Sequence, residues 1–110
     1  MTKDLKNAIK SIQPEFNNNQ TYSYNFPSEV SLYVDNDEYQ IDLYLSAGSF
    51  TTSIYVGEDR YKVTEEDAEF IHSYLTELLD YQIELTERYY EGQMHYERER
   101  YNDFGSFYIR

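Results

Sequence analysis

Between Val63 and Gly92 the chain holds neither proline nor glycine, and its apolar pattern never slips. Ala68, Ile71, Leu75, Leu78, Gln82, Leu85 and Tyr89 recur in steps of three and four. That spacing aligns side chains along one face of an α-helix, with Gln82 the single polar member of the seam. Thr64-Glu65-Glu66-Asp67 supplies a start signal. Thr64 reads as the N-cap of a capping box, and the acids fall in the first turn, where the helix dipole favours negative charge. A helix over 65–91 is roughly 40 Å long at 1.5 Å per residue, longer than a small sheet is wide. It must either break near Asp80–Gln82 into two packed helices or project beyond the domain. Beyond it, Met94, Tyr96, Tyr101, Phe104, Phe107 and Tyr108 predict a further helical turn or two and then an irregular tail packed back through its aromatics.

An amphipathic helix needs an apolar partner, and the preceding residues provide one. Val30, Leu32 and Val34 alternate with Ser31 and Tyr33. Tyr39, Ile41, Leu43 and Leu45 share one face opposite Gln40, Asp42 and Tyr44. Phe50, Thr52, Ile54 and Val56 repeat the pattern opposite Thr51, Ser53 and Tyr55. Period-two alternation defines half-buried strands, and the turn-forming runs 35–38, 47–49 and 57–60 join them as an antiparallel meander. Tyr61 and Val63 are candidates to open a fourth strand. Upstream, Leu5, Ala8, Ile9 and Ile12 mark a short helix over 2–13 that Pro14 stops. Asn17 to Gln20 reads as loop, and Tyr22, Tyr24 and Phe26 as a short or edge strand ending at Pro27. The expected fold class is α+β in a single acidic domain over 1–110. It comprises an N-terminal helix, a three- to four-stranded antiparallel β meander over about 21–63, and one long or two consecutive C-terminal helices over about 65–100 packed on the sheet.

Net charge tests that expectation. With 21 acids against nine Lys and Arg, the 110 residues carry −12, and high charge with low hydropathy is the usual mark of disorder. Fourteen Tyr and six Phe argue for a folded chain, and they lead us to expect a core that draws much of its burial from tyrosine rings. The charge excludes direct binding to a phosphate backbone. Without cysteine there is no disulfide framework, thiolate metal site or cysteine nucleophile. No apolar run approaches 18 residues, and residues 1–10 carry no apolar signal core, so neither a membrane span nor secretion is expected.

The charge is also segregated. Residues 1–10 hold three Lys and one Asp, and residues 88–110 balance four Arg with four acids. Residues 11–87 hold 16 acids and only Arg60 and Lys62, and from Val63 to Glu87 there is no base at all. Glu77, Asp80, Glu84, Glu87 and Glu91 step by three and four, which makes them one stripe that Glu66 and Glu69 extend towards the N-terminus. Their mean axial spacing, about 5 Å, is close to that of successive phosphates on a nucleic-acid strand. Like charges at these spacings cost a few tenths of a kcal/mol per pair. A solvated face accounts for such a stripe as soluble surface; a surface built for a basic groove also accounts for the missing lysines. Asp35, Asp37, Glu38, Asp42, Glu58 and Asp59 form a second acidic group around the turns.

No catalytic or cofactor pattern accompanies these acids, and the chain reads as non-enzymatic with no cofactor. An EF-hand counted from Asp35 fails, with Gln40 and Ser46 where glycine and glutamate are required. His72 and His95 stand alone, the first as a partly buried helix residue beside the seam. Tyr33, Tyr44 and Tyr55 are expected to stack across strands on the outer sheet face. Tyr89, Tyr90, Tyr96 and Tyr101 are expected to serve packing.

In size, charge and helix–sheet–helix layout the chain resembles the small acidic inhibitors of phages and mobile elements, the anti-CRISPR and anti-restriction proteins. The likeness rests on no motif, so it assigns no residue a role. It implies a basic nucleic-acid-binding partner, a Cas effector or another nuclease, blocked where its arginines and lysines await DNA or RNA. It also implies action in the cytoplasm of a bacterial host cell. Two further readings share the same charge: an immunity protein or antitoxin that neutralises a basic toxin nuclease, and an acidic module that homodimerises through the 68–89 seam, with Gln82 setting register.

Overall fold

The computed structural model describes residues 1–18 and 26–104, with side chains given up to residue 89. Three short turns set its architecture. After β2 (Pro27–Asp35), Asn36 closes a tight reversal into β3 (Tyr39–Ser46): its Oδ1 accepts from the backbone N–H of Glu38 at 2.9 Å and of Tyr39 at 2.8 Å. This is the Asx geometry that asparagine offers a turn. Ala47-Gly48 then leads into β4 (Ser49–Val56), and Gly57-Glu58 into β5 (Asp59–Arg60). Gly57 has φ +64°, while among the described residues no non-glycine residue has positive φ. A positive φ at the first loop position alone is the type II′ pattern, which favours glycine there.

With β1 (Glu15–Asn18) added at the far side, the sheet is a five-stranded antiparallel meander in the order β1-β2-β3-β4-β5. The register sets Val30 against Leu45 and Leu45 against Phe50, Leu32 against Leu43, and Ile41 between Val34 and Ile54. One face is thus continuously aliphatic, as the alternation predicts. β1 lies where loop was expected, and Phe26 precedes β2 without joining it. Tyr22 and Tyr24 fall outside the described residues. The last hairpin pairs Asp59–Arg60 with β4 and ends on a bond from the Tyr61 N–H to the Ile54 carbonyl, so Tyr61 closes this strand instead of opening it and Val63 lies beyond it.

Two helices meet the aliphatic face. α1 (Lys3–Lys10) starts at Thr2, whose hydroxyl accepts from the Leu5 N–H at 3.2 Å, and it buries Leu5 and Ile9. α2 (Glu65–Phe104) is one unbroken helix of 40 residues. Its Ile71 and Leu75 are fully buried against the sheet, flanked by Phe70, Tyr74, Leu78 and Leu79. The fully buried core is aliphatic, from Leu5 and Ile9 through Val30, Leu32, Ile41, Leu43 and Ile54 to Ile71 and Leu75. Tyrosine rings line its margin instead of filling it: Tyr39, Tyr61 and Tyr74 are half-buried, and Tyr33 is 59% exposed. A phenolic hydroxyl needs a polar partner or water, and of these tyrosines Tyr61 is the one whose hydroxyl bonds a described side chain, as set out below.

At about 1.5 Å per residue, α2 is roughly 60 Å long, and the molecule measures 69 × 24 × 21 Å. The helix therefore projects. Of the two alternatives the sequence leaves open, the break near Asp80–Gln82 is absent and the seam simply leaves the sheet. No residue from 80 to 89 belongs to the core, and Leu85 and Tyr89 are 37% and 61% exposed.

Candidate partner-binding surface

The acidic surface begins with the device that starts α2. The Thr64 hydroxyl accepts from the Asp67 N–H at 3.2 Å, and Asp67 Oδ2 accepts from the Thr64 N–H at 3.1 Å. This reciprocal pair is a capping box with aspartate in the glutamate position. Asp67 does more than cap. Its Oδ2 also accepts from the Tyr61 hydroxyl at 2.6 Å, and its Oδ1 lies 3.1 Å from the Met1 ammonium. Both ionic partners are buried, with 0% and 5% side-chain exposure. The Tyr61 hydrogen bond, the Thr64 N–H and the ammonium outweigh burial and hold the carboxyl well below the ordinary aspartate range. The same bond to Asp67, with burial and charge adding to it, raises the Tyr61 phenol above its ordinary value. Burial alone raises Tyr74. The sequence marks Asp67 as a first-turn acid; its role as the junction of three elements depends on where the fold places Met1 and Tyr61.

Past this buried acid, the carboxylates face outward. Glu66, Glu77, Asp80, Glu84 and Glu87 are all exposed on the helix. The stripe is continuous from Glu77 to Glu87 but interrupted above it. At Phe70 the ring stacks on Tyr74, and the Nζ atoms of Lys6 and Lys10 sit over it at 5.1 and 5.8 Å. The basic N-terminal segment thus lies against the upper part of the acidic helix and separates Glu66 from Glu77. Glu69, also exposed, lies towards β4, beside Phe50 and His72. Along the lower stripe Arg88 pairs with Glu84 one turn earlier. Glu91 lies beyond the residues whose side chains are described.

The turn acids also assemble. The Gly57 N–H donates to the Glu38 carbonyl at 2.7 Å, so the β2–β3 and β4–β5 turns touch. Asp35, Asp37, Glu38, Glu58 and Asp59 are exposed at this one end of the sheet. Asp42 stands apart on the outer face, opposite Tyr33 and Ser53. Among the described residues no group of three or more acidic or histidine side chains could hold a metal ion.

Three aromatic expectations need correction. Tyr44 faces Ser31 and Thr51, Tyr33 faces Asp42, and Tyr55 faces Gln40 and Arg60. None of the three tyrosines is the direct cross-strand partner of another, because the register offsets them. His72 is exposed, with its ring edge-on to Phe50 at 5.1 Å. Tyr89 does not pack into the core; Tyr90, Tyr96 and Tyr101 lie outside the described side chains. Among the described residues, no helix is long and apolar enough to cross a membrane. No protein-family model matches the chain, and no curated protein or solved structure matches it.

Proposed function

We propose that this protein is a non-enzymatic inhibitor that lays the acidic face of α2 into the basic nucleic-acid-binding groove of a nuclease or CRISPR effector. The observation that carries the reading is the projecting helix, which keeps Glu77, Asp80, Glu84 and Glu87 exposed along about three turns and, among the described residues, pairs only Glu84 with a base. A stripe that merely kept the surface wet would gain from interspersed lysines, since opposite charges at these spacings support a helix and like charges weaken it. A groove lined with Arg and Lys repays that cost, because each buried carboxylate finds a cation and the charge speeds encounter. The touching acidic turns, Asp35 to Glu38 with Glu58 and Asp59, provide a second contact area for the same target.

The test is capture on the immobilised full chain from a bacterial lysate at low salt, with elution by salt. The reading expects a basic nucleic-acid enzyme among the salt-eluted proteins, and inhibition of that enzyme when the two are mixed. A captured set containing only metabolic or membrane proteins would overturn it. An immunity protein would act through the same electrostatics, and a toxin gene adjacent to this one would favour that version.

A further inference from the structure

The two edges of the sheet are built differently. β1 carries Glu15 and an irregular register at Asn17/Asn18, features that discourage another strand from adding to an edge. The opposite edge has little such protection. β5 covers only Tyr55 and Val56 of β4, and one further bond, Tyr61 N–H to the Ile54 carbonyl at 2.8 Å, ends the pairing. Outward-facing main-chain groups alternate along an antiparallel strand, so the same side of β4 presents the N–H and C=O of Thr52 and Phe50. Among the described residues neither has a main-chain partner on that side. The open stretch, Ser49-Phe50-Thr51-Thr52-Ser53, contains no charge, proline or bulge.

We infer that this edge pairs with the same edge of a second copy, β4 to β4 and antiparallel, about a two-fold axis at Thr51. In that register Phe50 faces the partner's Thr52 and Thr52 faces the partner's Phe50, so every open main-chain group on both copies is used. Each Phe50 ring is then carried beside the partner's Thr52. There a cavity of about 370 Å³, bordered by Ile54, Tyr61, Lys62 and Val63, lies open at the edge. The pairing stops at Ile54, whose carbonyl is already taken by the Tyr61 N–H, and there the partner's chain is leaving its strand at the Ala47-Gly48 turn.

Charge selects a second copy over an unrelated strand. The two bases of the otherwise acidic 11–87 segment, Arg60 and Lys62, border this cavity at the Ile54 end of the open edge. Glu69 borders a second concavity at the Phe50 end, with His72 and Ser73. Antiparallel pairing brings the Ile54 end of one copy to the Phe50 end of the other, so Lys62 approaches the partner's Glu69 twice over, as a two-fold interface requires. Repulsion between two chains of −12 is largely screened beyond about 8 Å at physiological salt, and the open stretch 49–53 itself carries no charge.

Sedimentation velocity on the full chain over a concentration series tests the inference. The expected species has twice the 13.3 kDa chain mass at high concentration. Thr52→Pro removes an outward N–H without touching the β3 ladder, a placement proline tolerates on edge strands, and should weaken association about 100-fold with circular dichroism unchanged. Lys62→Glu or Glu69→Lys, both at exposed positions, should each weaken it about 10-fold, and the double exchange should restore it. A wild-type chain that stays monomeric at millimolar concentration would overturn the inference. So would charge reversals that leave association unchanged, or a double exchange that fails to restore it. The inference does not depend on the inhibitory reading, because self-association is read without any partner.

Discussion

The two halves of α2 share one helical period and one seam, yet they do opposite things. From Glu65 to Leu79 the seam is buried: Ile71 and Leu75 are fully enclosed, and the N-terminus is fixed by Thr64, Asp67 and Tyr61. From Asp80 onward the same spacing meets no sheet, and Leu85 and Tyr89 face solvent. The period therefore predicts that a helix forms, while the width of the sheet decides how much of it is core. The docked half contributes stability. The projecting half is free to present carboxylates because it carries little of the fold.

The largest expected difference between the halves is in core truncation. Leu75→Ala should cost about 2–5 kcal/mol in urea unfolding, from lost burial and the cavity left behind. Leu85→Ala should cost below about 1 kcal/mol, because little apolar surface is covered there. Comparable losses at the two sites would mean that the projecting half is packed in solution.

Asp67 comes next. Replacing it with Ala should cost on the order of 2–4 kcal/mol, since both the helix cap and the partner of a buried ammonium are lost. The pH dependence has a definite sign. The folded-state carboxyl titrates below the ordinary aspartate value of 3.8, so its contribution is complete above that value and declines as pH falls through the folded-state pKa. Tyr61 is raised above the ordinary 10.0, so its contribution is complete below that value and declines as pH rises past it. The thermal midpoint should therefore fall at both extremes, and Asp67→Asn should flatten the acid arm. Gly57→Ala should follow at about 1–2 kcal/mol, because alanine resists the φ of +64° that the turn requires. Smallest is the stripe itself: Asp80→Lys should stabilise by a few tenths of a kcal/mol through relief of repulsion from Glu77 and Glu84, readable as a slight rise in the urea midpoint.

Much of this architecture is legible in the residues. The β2–β4 faces follow from strict alternation because one face is buried, and a one-residue slip would invert every side chain. The Thr64 cap and the clustering of the turn acids follow from local chemistry and hairpin geometry. What is not legible depends on distant parts of the chain. In β1, Phe16 is the only apolar residue among Glu15–Asn18, so its strand state comes from pairing with β2 and leaves no pattern of its own. α2 continues past Gly92 to Phe104, because one helical glycine costs only about 1 kcal/mol and is no certain stop. The break in the acidic stripe at Phe70 was hidden as well, since it is made by Lys6 and Lys10 from another helix.

The measurement that bears most directly on the division of labour within α2 combines binding and stability in one variant. Glu77, Asp80, Glu84 and Glu87 are reversed together to Lys, and affinity for the captured basic partner is measured by calorimetry beside the thermal midpoint. Binding is expected to be lost while the midpoint is unchanged or slightly raised. Binding retained at full strength with all four charges reversed would contradict that division.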